Sequence, residues 1–140
     1  MRIAVTGGSG KLGRHVVRHL RQQGHDVLNL DRSGERWTGW MQTDLDDYGQ
    51  VVDALGGAHG EVEPVEALVH LGAIPAPGLA PDVQTFRNNI VATFNVFHAA
   101  IRVGLRQIVY ASSETLLGLP FETPPPYVPV DEECTRPETV

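Results

Sequence analysis

The stretch Arg2-Ile3-Ala4-Val5-Thr6-Gly7-Gly8-Ser9-Gly10-Lys11-Leu12-Gly13 decides the fold. A short apolar, β-branched run meets glycines at 7, 8, 10 and 13. The run predicts a buried strand, and the pattern after it predicts a helix. Leu12, Val16, Val17 and Leu20 share one helical face, while Arg14, Arg18 and Arg21 occupy the solvated other. Gly24 suits the left-handed position just past a helix end. Residues 26–31 form an apolar run closed by Asp31. Strand, glycine turn, helix and strand within about 30 residues make a βαβ unit.

The pattern continues outward. Residues 32–40 read as a polar loop holding two Trp, and residues 41–43 as a short third strand. Tyr48, Val51, Val52 and Leu55 give a helical stripe that Gly56 and Gly57 break. Residues 67–71 predict a buried fourth strand, and residues 72–78 a loop. A long helix is expected over about 82–103, with Phe86, Ile90, Phe94, Phe97 and Ile101 in one stripe. Val91, Val96, Ala99 and Ala100 widen that stripe, so burial on more than one face is expected. His98 falls among them as a core or interface residue. Residues 107–111 predict a fifth strand that ends at Ser112-Ser113. Alternating strands and helices imply an α/β, Rossmann-like, doubly wound parallel sheet of order 3-2-1-4-5, truncated after strand five. Residues 1–119 form its dinucleotide-binding core. Residues 120–140 hold six of the ten prolines and read as an extended loop leading to a missing helix.

Composition narrows the function. With 140 residues, 41% hydrophobic and 20% charged, the chain is one globular domain and not a disordered tail. The longest apolar candidate, 90–101, is broken by Asn95 and His98 and falls short of the ~18 residues of a membrane helix. The N-terminus does not read as a signal peptide. A lone Cys134 makes no internal disulfide, so a reducing, cytoplasmic setting is expected. A net charge of −6 argues against a nucleic-acid partner. His15 and His19 stand at i, i+4 with no third ligand, so no metal is expected.

The glycines carry the strongest chemical signal. Their spacing, after a predicted strand and before a predicted helix, allows a tight turn and close approach to a pyrophosphate. Gly7, Gly10, Lys11, Leu12 and Gly13 are the candidate contacts, at a helix N-terminus whose free N–H groups attract anions. A turn that only packs is the competing reading. A Walker loop is excluded, because Leu12 follows Gly10-Lys11. Asp31 lies 18 residues past Gly13 and can accept both hydroxyls of an adenosine ribose. It would repel a 2′-phosphate, so NAD is expected and NADP is less favoured. Arg32 works the other way, since an adjacent Arg can hold that phosphate. Asp31 as a turn cap and Asp44 as an ordinary loop acid are the bland alternatives. An acid at a strand's carboxyl end can also accept from an adenine amino group, which is the functional reading of Asp44.

Thr6-Gly7-Gly8-Ser9-Gly10-Lys11-Leu12-Gly13 resembles the fingerprint of extended short-chain dehydrogenases/reductases, the NAD-dependent epimerase/dehydratase family. Asp44-Leu45 resembles that family's adenine-contacting pair. His70-Leu71-Gly72-Ala73 resembles its turn along the cofactor. Asn88-Asn89-Ile90, with Thr93 and Asn95, resembles its central helix, although Ala92 replaces the usual Gly. Residues 109–118 resemble its strand-five stretch, with Leu117 where Tyr is usual, and residues 129–132 its acidic segment. The match runs in order along almost the whole chain.

The resemblance implies a hydride-transferring oxidoreductase, epimerase or dehydratase acting on a sugar, sugar acid or nucleotide sugar. It implies that Asn88, or alternatively Asn89, meets the nicotinamide end, that Ser113 orients the reacting hydroxyl, and that Glu114, Thr115 and residues 74–77 face the substrate. It also implies a possible homodimer through helix 82–103. The family's Tyr-x-x-x-Lys pair is absent: the one lysine is Lys11, and Tyr48, Tyr110 and Tyr127 are followed four residues on by Val52, Glu114 and Asp131. A catalytically incomplete fragment is therefore expected. The alternative is a complete, non-catalytic dinucleotide sensor or interaction module.

Overall fold

The computed structural model describes residues 1–34, 39–57, 63–113 and 124–131. Two units are distinguished, Met1–Tyr110 and Ala111–Val140. The first contains β1 (Arg2–Thr6), α1 (Gly13–Gln22), β2 (Asp26–Asp31), β3 (Trp40–Gln42), α2 (Tyr48–Gly56), β4 (Ala67–His70), α3 (Asp82–Arg102) and β5 (Ile108–Tyr110). The strands form one sheet in the order β3-β2-β1-β4-β5, and every pairing is parallel. In the second unit, the described residues 111–113 and 124–131 form neither helix nor strand. There the Tyr127 hydroxyl donates to Asp131 Oδ1 at 2.6 Å.

Successive strand residues point to opposite faces. On β1, Ile3 and Val5 join Val17 of α1 and Val27 of β2 in one core. Ala4 joins Leu28, Leu30 and Leu68 in the other, beneath α2 and α3. Both faces are covered, which is why the strands read as continuous apolar runs.

Helix ends follow the local sequence. His25 N–H bonds Leu20 O at 3.1 Å and Gly24 N–H bonds Arg21 O at 2.9 Å, with Gly24 at φ +82°. Leu105, Gly104, Ala100 and Ile101 repeat this Schellman pattern at the end of α3. Asp47 caps α2 by accepting from Gln50 N at 3.2 Å.

One expectation about α3 is corrected. Its sheet-facing side is the small one: Ala92, Asn95, Val96, Ala99 and Ala100 are buried. Phe86, Ile90, Phe94 and Ile101 are 56–72% exposed, so the large stripe faces away from the core. Small side chains let the helix lie close over the sheet, and two apolar faces do not guarantee two buried ones. His98 is likewise outside the core; it is exposed, bonds the Tyr48 hydroxyl at 2.8 Å and stacks on Phe94. The third strand also begins one residue earlier than expected, because Trp40 pairs with Asn29.

Candidate functional site

The turn after β1 is built on glycine geometry. Gly7 has φ +67°, donates to Leu30 O at 2.9 Å and accepts from Gly10 N at 3.0 Å. A Cβ on Gly13 would strike the Gly7 carbonyl oxygen, so only glycine closes this turn. Helix α1 then starts without a side-chain cap. Among the described residues, the N–H groups of Lys11, Leu12 and Gly13 have no acceptor. An uncapped helix start carries free donors and the positive end of the helix dipole.

The second rim is the end of β2. Asp31 accepts from Ser9 N at 3.0 Å through Oδ2 and from Ser33 N at 3.4 Å through Oδ1. Ser9 is tied down from below, where Asn29 Nδ2 donates to its Oγ at 3.0 Å. Next to Asp31, Arg32 turns onto two acids. Its Nε and Nη2 donate to Asp44 Oδ1 at 3.0 and 2.8 Å, and Nη2 lies 3.3 Å from Asp46 Oδ2. The Asp44 hydrogen bond raises the Arg32 guanidinium above its ordinary value, against desolvation. Burial pushes the Asp44 carboxyl up, but the Arg32 hydrogen bonds, the Asp46 N–H and the guanidinium charge outweigh it and hold it below its usual value.

The opposite wall is fixed by polar side chains from within the fold. Thr6 Oγ1 accepts from Leu71 N at 3.1 Å and Gly72 N at 3.2 Å, and lies 2.6 Å from His70 Nδ1. With both lone pairs used, the hydroxyl donates to Nδ1, so the imidazole proton sits on Nε2 and points to Thr93 Oγ1 at 3.2 Å. Burial lowers the His70 pKa to about 4, which fits a neutral ring. Asn89 grips Ile74 twice: its Oδ1 accepts from Ile74 N at 2.8 Å and its Nδ2 donates to Ile74 O at 3.0 Å. Asn95 Nδ2 donates to Leu45 O at 2.9 Å.

These walls enclose a cleft of about 300 Å³. Of the residues singled out in the sequence, Gly7, Gly10, Asp31, Arg32, Leu45, Leu71, Gly72, Ala73 and Asn88 line it. Lys11, Leu12, Gly13 and Asp44 do not: Gly13 packs on the turn and Asp44 engages Arg32. Ser9, Leu30, Ser33 and Thr43 also line the cleft and were not singled out; Ile74, the first residue of the loop expected to face the substrate, lines it too. Ser9 lies inside the glycine run, and Leu30 and Thr43 end or follow strands, so their positions held the signal. Ser113 is in the second unit, and Glu114 and Thr115 lie outside the described residues. No group of three metal-ligating side chains occurs among the described residues.

The residues suit a dinucleotide. The cleft has the glycine turn that leads into α1 at its floor, a carboxylate at the second strand end and glycine where backbone approach is needed. A cleft outside the carboxyl ends of parallel strands, where the strand order reverses, defines the class of dinucleotide-binding α/β domains.

Within that class, the chain belongs to the NAD dependent epimerase/dehydratase family, whose profile matches residues 3–139. The UDP-glucose 4-epimerase of Klebsiella pneumoniae is 27% identical over 134 residues, 84% of this chain and 93% of that protein. That of Bacillus subtilis is 30% identical over 141 residues, 89% of this chain and 40% of that protein. A short-chain dehydrogenase/reductase superfamily protein from Agrobacterium tumefaciens, solved with bound NAD, superposes with a TM-score of 0.76 at 32% identity. The match covers 96% of this chain and 38% of that one. The chain thus spans about 40% of the length of the latter two proteins. No helix among the described residues is long and apolar enough to cross a membrane.

Proposed function

We propose that this chain is the NAD-binding part of an oxidoreductase, epimerase or dehydratase that acts on a sugar, sugar acid or nucleotide sugar by hydride transfer. The observation that carries the reading is the meeting of the glycine turn and the Asp31 carboxylate on one cleft. The free N–H groups at Lys11, Leu12 and Gly13 receive the pyrophosphate. Asp31 has lone pairs to spare for the ribose hydroxyls and disfavours a 2′-phosphate. Leu45 packs beside the adenine, with Asp44 adjacent as the amino-group acceptor. Asn88 meets the nicotinamide end; Asn89 is committed to Ile74.

When bound, NAD supplies the hydride-accepting nicotinamide. Ser113 orients the reacting hydroxyl, and Glu114, Thr115 and residues 74–77 face the substrate. These roles rest on the resemblance of residues 109–118 to the family's strand-five stretch. No Tyr-x-x-x-Lys pair exists in these 140 residues, so no side chain pair here moves the hydroxyl proton in the family's manner. The outward stripe Phe86, Ile90, Phe94 and Ile101 supports a homodimer through α3. A cytoplasmic location belongs to the same proposal and rests on the lone cysteine.

Calorimetric titration with NAD, beside a turnover assay on UDP-glucose and on hexuronic acids, tests the reading. Saturable one-to-one binding without turnover is expected. A folded chain that ignores NAD refutes the cofactor reading. Turnover by these 140 residues alone refutes catalytic incompleteness. A non-catalytic sensor, favoured by the missing Tyr-Lys pair, would bind NAD equally well and would stay inactive in every longer form of the chain.

A further inference from the structure

The cleft rim holds an arginine that is already in use. Arg32 follows Asp31, the position from which a guanidinium can reach a ribose 2′-phosphate. Its Nε–Nη2 edge, one of the two-donor edges that suit a phosphate, is turned instead to Asp44 Oδ1. Nη2 is shared with Asp46 Oδ2 at 3.3 Å. That guanidinium therefore faces two carboxylates, Asp44 and Asp46.

Asp46 is set up to hold this arrangement. Its backbone N–H donates to Asp44 Oδ1 at 3.1 Å, the same oxygen that Arg32 uses. Its side chain is 25% exposed, and its Oδ1 is buried with no hydrogen-bond partner. Gln50 fixes the segment from the other side, where its Oε1 accepts from Asp44 N at 2.9 Å. Contacts with Gln50 and the Asp46 N–H thus hold Asp44 in place, and the Asp46 carboxylate meets Arg32 through Oδ2.

We propose that Asp46, acting with Asp44, sets cofactor choice by latching Arg32 away from a 2′-phosphate, so that the rim accepts NAD and rejects NADP. The inference rests on the NAD reading of the cleft. Asp31 alone would repel the phosphate; the latch removes the adjacent Arg32 cation that could offset it. Asp46 is a positioning residue here, since it acts through Arg32.

The test is calorimetric titration of NAD and NADP into the wild type, Asp46→Asn, Asp46→Ser, Arg32→Ala and the Arg32→Ala/Asp46→Asn double variant. The readout is binding, so catalysis is not required. Asp46→Asn and Asp46→Ser are expected to tighten NADP binding about three- to fivefold, the size of one partly exposed ion pair, with NAD affinity within about twofold. The gain is expected to vanish when Arg32 is also removed, and to shrink in added salt. If NAD binds and NADP affinity does not rise in either Asp46 variant, the latch is wrong and the cofactor reading stands. If the gain survives without Arg32, general charge and not the latch is responsible, and the inference is overturned. If the folded wild type binds neither nucleotide, both the inference and the cofactor reading fall.

Discussion

Thr6→Val is a nearly isosteric change that removes one buried hydroxyl. That hydroxyl is fully buried and serves Leu71 N, Gly72 N and His70 Nδ1 at once. Leu71 N–H keeps a second acceptor, the Thr6 carbonyl at 3.2 Å. Gly72 N–H and His70 Nδ1 lose the partner that the structure gives them. A buried polar group left unsatisfied costs about 1–3 kcal/mol. Gly72 is only half-buried, so the two together should cost roughly 2–4 kcal/mol. Thr6→Ser keeps the hydroxyl and loses one buried methyl, for about 1 kcal/mol. Urea unfolding followed by far-UV circular dichroism separates the cases. With a slope near the middle of the usual urea range, Thr6→Val should lower the midpoint by about 1–2 M at unchanged slope. A Thr6→Val protein no less stable than Thr6→Ser would refute the hydroxyl's role and, with it, the assigned His70 tautomer.

The same network has a pH signature. His70 titrates at about 4 when folded and near its ordinary 6.5 when unfolded, so its contribution is complete above pH 6.5 and is lost as pH falls toward 4. Between pH 7.5 and 5 this group should remove about 2 kcal/mol of stability, and the His70 ring resonances should show no titration midpoint above pH 5. Gly24→Ala meets open space at φ +82° and should cost about 1 kcal/mol in urea unfolding. Gly13→Ala drives a Cβ into the Gly7 carbonyl, so it should cost clearly more and weaken NAD binding, as calorimetry would show. Asn88→Ala should weaken NAD binding with little change in thermal midpoint. Asn89→Ala should lower the midpoint, because it frees both Ile74 backbone groups.

Much of the framework was readable because it depends on local chemistry. Residues 26–31 were legible as a strand from apolar run and closing acid, and Gly24 and Gly104 mark their helix ends through a conformation that glycine adopts freely. The glycine spacing located the cleft floor for the same reason. The parts that were not legible depend on which surfaces meet. Periodicity in α3 gives two apolar faces and no rule for choosing between them; the sheet takes Ala92, Val96, Ala99 and Ala100. The Thr6–His70 contact joins residues 64 apart, and Arg32–Asp44 residues 12 apart, across different strands. No motif in one segment announces such a partner, so the Arg32–Asp44 ion pair was not legible. The Asn89–Ile74 contact likewise joins residues 15 apart.

The Asn89 grip on Ile74 has a thermodynamic consequence. Its amide offers one donor and one acceptor in a plane, as a peptide group does, and so stands in for a neighbouring strand beside a loop that has none. The wall from Leu71 to Ile74 is thereby ordered when the chain folds and not when a ligand arrives. Chain entropy lost during folding is entropy that association need not spend again, so affinity at this wall is drawn from contacts and little is forfeited to loop freezing.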